Sequence, residues 1–106
     1  MKLLRMLLEA ESAFVIEING LGDFDDPEHD GFFSGDSKGK VIVPLERAMR
    51  FPNEREAQAA GQLTTDTLHN IIHDDNTTHG NRFSQGHTIV TDANGNAAFE
   101  VKIKRI

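Results

Sequence analysis

The chain contains no cysteine among its 106 residues. Disulfides and cysteine-ligated zinc or iron–sulfur sites are therefore excluded, and the composition gives no sign of an oxidising compartment. No apolar run approaches the roughly 18 residues that a membrane-spanning helix needs. A Gly-x-Ser-x-Gly nucleophile motif, a phosphate-binding loop and a dinucleotide fingerprint are also missing. We therefore expect a cytoplasmic, non-enzymatic protein that does not enter a membrane.

The length and composition fit one globular domain spanning residues 1–106, since 38% of the residues are hydrophobic and 26% are charged. The N-terminal stretch MKLLRMLLEAESAF has a short apolar segment that Arg5 interrupts, so it lacks the apolar core of a signal peptide. We expect this stretch to belong to the mature fold, as a first strand or a short amphipathic helix.

The net charge of −6 is concentrated in one segment, residues 23–36. This segment contains no Lys or Arg, and its acids are Asp23, Asp25, Asp26, Glu28, Asp30 and Asp36. The remaining acids equal the 11 Lys and Arg residues in number. Residues 19–31, which we call the acidic loop, hold most of the excess. The overall negative sign disfavours direct binding to nucleic acid.

Three stretches have the composition and turn chemistry of β-structure. Residues 13–18, AFVIEI, predict a first strand, and residues 31–43, GFFSGDSKGKVIV, predict a hairpin around a Gly- and Ser-rich turn. Strand neighbours point to opposite faces, so we expect one of Phe32 and Phe33 to be buried. Residues 87–106 predict a second hairpin that turns at Asn94-Gly95 and continues into alternating apolar and charged residues.

The segment FPNEREAQAAGQLTTDTLHNIIHDD predicts the main helix. Asn53 suits its N-cap, and Glu56 three residues later completes a pattern typical of a capping box. The predicted buried stripe follows helical spacing and consists of Ala57, Ala60, Thr64, Leu68 and Ile71. The predicted fold is therefore α+β, with an antiparallel sheet of about five strands packed against one main helix in the order β-β-β-α-β-β.

In the middle of the chain an apolar strand leads to a Gly-Phe-Phe hairpin, then to Ala-x-Arg-Phe and a helix that opens with Glu-Ala. The residues of this pattern are Phe32, Phe33, Ala48, Arg50, Phe51, Glu56 and Ala57. The pattern resembles that of small uncharacterised phage and prophage proteins. The resemblance implies no activity. Such proteins run directly from the first strand into the hairpin, so the acidic loop resembles an insertion, and inserted loops often carry function.

Three histidines, His69, His73 and His79, form a candidate metal site. His69 and His73 are four residues apart and would lie on one helical face, a geometry that suits zinc or nickel. A helical wheel places both about 120–160° from Ala57, so we expect them to face solvent and to bind only a surface metal or one shared between subunits. The alternative is that they simply complement the negative end of the helix.

The acidic loop is the stronger candidate for function, as a protein-binding surface. Its candidate contact residues are Asp23, Phe24, Asp25, Asp26, Glu28 and Asp30. Aromatic anchors among charged residues are typical of interfaces, and the charge would steer a basic partner. Phe24 is the residue that the predicted fold explains least.

In the phage setting the partner could be a basic, nucleic-acid-binding host protein, which the chain would inhibit in the host cytoplasm. A homodimer through an edge strand is also expected, because a short sheet leaves edges exposed. A structural virion component is the alternative, and it would form stable multimers.

Overall fold

The computed structural model describes residues 13–73 and 82–106, which form a five-stranded antiparallel sheet with a long helix on one face. The strands are β1 (Phe14–Gly20), β2 (Gly31–Phe33), β3 (Ile42–Val43), β4 (His87–Thr91) and β5 (Ala97–Arg105), and they lie in the order β3-β2-β1-β5-β4. Helix α1 (Glu54–His73) lies between β3 and β4 in the chain. The α+β prediction and the element order are confirmed. The expectation for the N-terminal stretch falls largely outside the described residues.

The central pair of strands, β1 and β5, separates an apolar face from a charged face. Ile16 lies opposite Ile103 and Ile18 lies opposite Val101, and these side chains belong to the core beneath α1. On the other face Glu17 lies opposite Lys102. This arrangement follows from the alternation of side chains along a strand.

The charged face carries a ladder of ion pairs between neighbouring strands. The Lys102 Nζ lies 3.1 Å from a Glu17 carboxylate oxygen, and the Lys104 Nζ lies 3.6 Å from the other oxygen. Burial alone would raise the pKa of Glu17. Hydrogen bonds from Lys102 and Asn19, with the two lysine charges, outweigh it and hold that pKa below its usual value. The alternating lysines near the C-terminus therefore lie on a strand face, as their spacing predicted.

Both predicted hairpins are present. Across the first hairpin Phe32 pairs with Val43 and Phe33 pairs with Ile42. Of the neighbours Phe32 and Phe33, Phe33 is the buried one, so the expectation that one of the two is buried is confirmed. The second hairpin turns through Asp92–Asn96, where the Asp92 carboxylate accepts backbone hydrogen bonds of 2.9 Å from Asn94 and Asn96. Gly95 supplies the positive φ, at 82°.

Helix α1 begins as predicted, because the Asn53 side chain accepts a 2.9 Å hydrogen bond from the Glu56 N–H. Before Leu68 its buried residues are all Ala, Gly or Thr, so this part of the helix lies close to its neighbours. The approach is close at Gly61, because a Cβ built there would lie 2.3 Å from the Phe83 ring. Two glutamines of α1 bind the segment that begins at residue 82. The Phe83 N–H donates a hydrogen bond to the Gln62 side chain, and the Gly86 N–H donates one to the Gln58 side chain.

The last turns of α1 differ from the prediction. Leu68 is buried, but Ile71, which was predicted in the buried stripe, is 62% exposed. His69 and His73 are partly buried instead of facing solvent, and the His73 Nε2 lies 3.0 Å from the Thr91 carbonyl oxygen. The wheel assumed one contact line along the whole helix. The last turn of the helix instead contacts the end of β4 through His73, which lies on a different side of the helix from Ala57.

Candidate functional site

The acidic loop is folded into two short 3₁₀ turns, Gly22–Phe24 and Pro27–His29. The Leu21 N–H donates a 2.8 Å hydrogen bond to the Ala98 carbonyl, which ties the start of the loop to β5. Within the loop, the Phe24 and His29 N–H groups each donate a 2.9 Å bond, to the Leu21 and Asp26 carbonyls. The loop therefore has a defined backbone path over the sheet.

Two of the candidate acids also hold the loop together. The Asp30 carboxylate accepts a 2.9 Å hydrogen bond from the Gly20 N–H, which closes the base of the loop. The Asp26 carboxylate accepts a 3.0 Å bond from the Glu28 N–H at the start of the second turn. A carboxylate that accepts backbone N–H bonds stabilises a turn without a partner protein. Asp26 and Asp30 therefore stabilise the backbone of the loop, in addition to any role in binding.

Phe24 is explained by the fold, so the expectation that the fold explains it least is wrong. Its ring centre lies 5.2 Å from that of Phe99, and the side chain packs against the core. The His29 ring lies edge-on to both phenylalanines, with centroids 5.6 Å and 5.9 Å away. These distances are those of favourable aromatic pairs. Phe24 anchors the loop to the sheet from the inside.

Sequence reasoning did not single out His29, although it lies at the centre of this ring cluster. Its Nδ1 is buried and has no hydrogen-bond partner within the described part of the chain. A single histidine between Pro27 and Asp30 forms no periodic pattern, so the neighbouring sequence does not indicate that His29 is partly buried. Only the fold brings His29 against β5.

Gly20 allows the loop to lie close to the sheet. A Cβ at this position would lie 1.8 Å from the Phe24 carbonyl oxygen and 2.8 Å from the His29 Cβ. Both distances are far below van der Waals contact, so the loop can occupy this position only above a glycine. The glycine that ends β1 is thus part of the support for the acidic loop.

The carboxylates of the loop remain on the outside. Asp23, Asp25, Asp26, Glu28 and Asp30 are all exposed. Asp36, the sixth acid of the segment, belongs instead to the β2–β3 turn. There its carboxylate accepts 2.9 Å bonds from the Lys38 and Gly39 N–H groups, and these bonds hold the pKa of Asp36 below its usual value. The arrangement is a row of exposed charges on a loop that is anchored by its aromatic side.

A groove of about 560 Å³ lies beside the loop, between it, the β2–β3 turn and the last turns of α1. Its walls are mainly apolar and include Phe24, Ile42, Leu68, Ile71, Ile72 and Phe99. Glu28 and Lys40 are the charged residues that line it. The groove is composed of four segments that are distant in the chain, namely the loop, the β2–β3 turn, the end of α1 and β5, so no local pattern could have predicted it.

The predicted metal site is only partly within the described residues. The His69 and His73 rings are stacked with centroids 4.0 Å apart, and His73 also contacts the Thr91 carbonyl. His79 lies outside the described residues. Across residues 13–73 and 82–106, no group of three or more His, Cys, Asp or Glu side chains could hold a metal ion. Zinc or nickel binding through all three histidines stays a prediction, which metal analysis of the untagged protein tests.

Two further findings complete the description. The helix in the described residues is not long and apolar enough to cross a membrane. Comparison of the chain with protein-family models, with curated proteins and with solved structures found no match.

Proposed function

We propose that this chain is a small, non-enzymatic protein-binding protein that recognises a basic surface of a partner protein through the acidic loop. The observation that carries the proposal is the exposure of the loop carboxylates on a backbone fixed from beneath by Phe24, His29 and Gly20. A preordered loop loses less conformational entropy on binding than a loose one. Its concentrated negative charge would steer a basic partner into contact.

The biological setting that we propose is a phage or other mobile element, with the host cytoplasm as the site of action. The partner would be a host protein whose nucleic-acid-binding surface is basic, and the acidic loop would compete for that surface. The chain itself would bind no nucleic acid, because the excess charge that it displays is negative. A homodimer through β3 or β4, the edge strands of the described sheet, is compatible with this function.

The roles within the loop divide between recognition and support. Asp23, Asp25 and Glu28 are the acids that we assign to recognition alone, since Asp26 and Asp30 also accept backbone hydrogen bonds. A charge-reversed variant should therefore change the first three and leave the other two in place. Phe24 contributes by holding the loop and by forming one wall of the groove.

A pull-down from host lysate tests the proposal. The bait is the chain in three forms: wild type, a loop variant with Asp23→Lys, Asp25→Lys and Glu28→Lys, and a control with Glu46→Lys, Glu54→Lys and Glu56→Lys. The control makes the same change in net charge at three exposed acids outside the loop. We expect a basic protein to be retained by wild type and control and lost by the loop variant. Equal retention by all three forms would contradict the proposal.

A further inference from the structure

We infer that the groove beside the acidic loop receives an apolar side chain from the same basic partner, so that the partner's binding segment is amphipathic. The inference rests on the proposed function, because the charge of the loop defines the occupant. It adds a requirement that charge alone does not impose: an apolar residue next to the basic ones.

Among the described residues, the groove exposes apolar surface to solvent. Ile71 is 62% exposed on its wall, although it is a large apolar side chain near the buried Leu68 and Phe99. Covering such a side chain removes apolar surface from water, which favours association. A volume of about 560 Å³ falls in the range of pockets that hold small ligands or side chains.

The walls are already in place before anything binds. Leu68 and Phe99 are core residues, and Phe24 is held against Phe99 by its ring contact. An occupant would therefore meet a formed surface and would not have to order it, which favours binding. The one charged residue on the loop side of the groove, Glu28, is among the acids assigned to recognition.

The acidic loop that forms one wall of the groove favours a basic occupant. Glu28 of the acidic loop lines the groove and Lys40 is the other charged residue of its lining, while the exposed Asp25 and Asp26 precede Glu28 on the same loop. An acidic segment would be repelled by the loop, and a neutral apolar ligand would leave the loop charges without partners. A segment that places an apolar residue in the groove and Lys or Arg beside the loop satisfies both features.

Two synthetic peptides of equal charge test the inference. The first has Leu and Lys at helical spacing, and the second has each Leu replaced by Ser. Dissociation constants are measured by fluorescence anisotropy for wild type, for Ile71→Gln and for Leu63→Gln. Leu63 is the matched control, because it is 47% exposed on the same helix and does not line the groove.

We expect wild type and Leu63→Gln to bind the Leu peptide about tenfold more tightly than the Ser peptide, as burial of one apolar side chain implies. Ile71→Gln should reduce that preference severalfold and leave the Ser peptide's affinity unchanged. The loop variant with Asp23→Lys, Asp25→Lys and Glu28→Lys should weaken both peptides.

The outcomes separate the two proposals. If both peptides bind wild type equally, or if Ile71→Gln keeps the preference, the groove inference is wrong while charge recognition stands. If neither peptide binds wild type, or the loop variant binds both as well as wild type does, the acidic-loop function itself fails. Self-association of the wild type that Ile71→Gln abolishes would overturn the inference in favour of a second copy of the chain.

Discussion

Replacing Gly20 by Ala should destabilise the protein, although the usual effect of such a change is the opposite. Gly20 does not have a positive φ, and Gly→Ala at a compatible position normally stabilises by about 0.4–1 kcal/mol through the unfolded state. Here the new Cβ would lie 1.8 Å from the Phe24 carbonyl oxygen, which is backbone and cannot rotate away. The loop would have to move by more than an ångström.

The expected size of the effect follows from two costs. Overpacking typically costs about 1–3 kcal/mol. A displaced loop also loses part of the packing of Phe24 and His29 on Phe99, where an aromatic pair contributes about 0.5–1.5 kcal/mol beyond buried area. After subtraction of the unfolded-state gain, we expect a net loss of about 1–3 kcal/mol.

Urea denaturation measures this loss as a lower midpoint at an unchanged slope. Amide hydrogen exchange adds a local readout, because the Leu21 N–H should lose protection when its bond to the Ala98 carbonyl is strained. Gly95→Ala is the control: a Cβ added at this position would have nothing within 4 Å, so the variant reports only the strain of a positive φ. A stabilised or unchanged Gly20→Ala protein, with Leu21 still protected, would refute the close packing of the loop on the sheet.

Two further predictions concern the core and the charged face. Gly61→Ala should lower the free energy of unfolding by about 1 kcal/mol in urea denaturation, because the clash with the buried Phe83 ring outweighs the roughly 1 kcal/mol gain in helix propensity; a stabilised variant would contradict this. Folding lowers the pKa of Glu17 from its usual value of 4.5. The ionised Glu17 therefore stabilises the fold above pH 4.5, and this stabilisation is lost as the pH falls below 4.5 and through the lowered pKa. Glu17→Gln should therefore lose stability at pH 7 and show a shallower acid decline than wild type; parallel stability–pH curves would sink this account.

The architecture was predictable where local chemistry decides it. The Asn53 cap, the Asn94-Gly95 turn and the alternation along β5 each act over a few residues, and all three are present. These features depend on backbone geometry that neighbouring residues set, so the rest of the fold does not need to be known.

The errors arose where distant segments meet. Ile71 was placed in the buried stripe and is exposed, while His69 and His73 are partly buried, because the last turn of the helix contacts the end of β4 through His73. Phe24 was predicted to contact a partner protein, whereas its ring packs against Phe99, which lies 75 residues further along the chain. The groove has the same origin, since its walls come from the loop, a turn, the helix end and β5. A single sequence shows no direct sign of such contacts.

The salt dependence of partner binding tests the central claim most directly. The partner retained in the pull-down is titrated with wild type, with the loop variant and with the Glu46, Glu54 and Glu56 control, at increasing ionic strength. If the acidic loop recognises a basic surface, wild type and control should lose affinity as salt screens the charges, and the loop variant should bind weakly at low salt. An affinity that is independent of salt and equal in wild type and the loop variant would contradict the account.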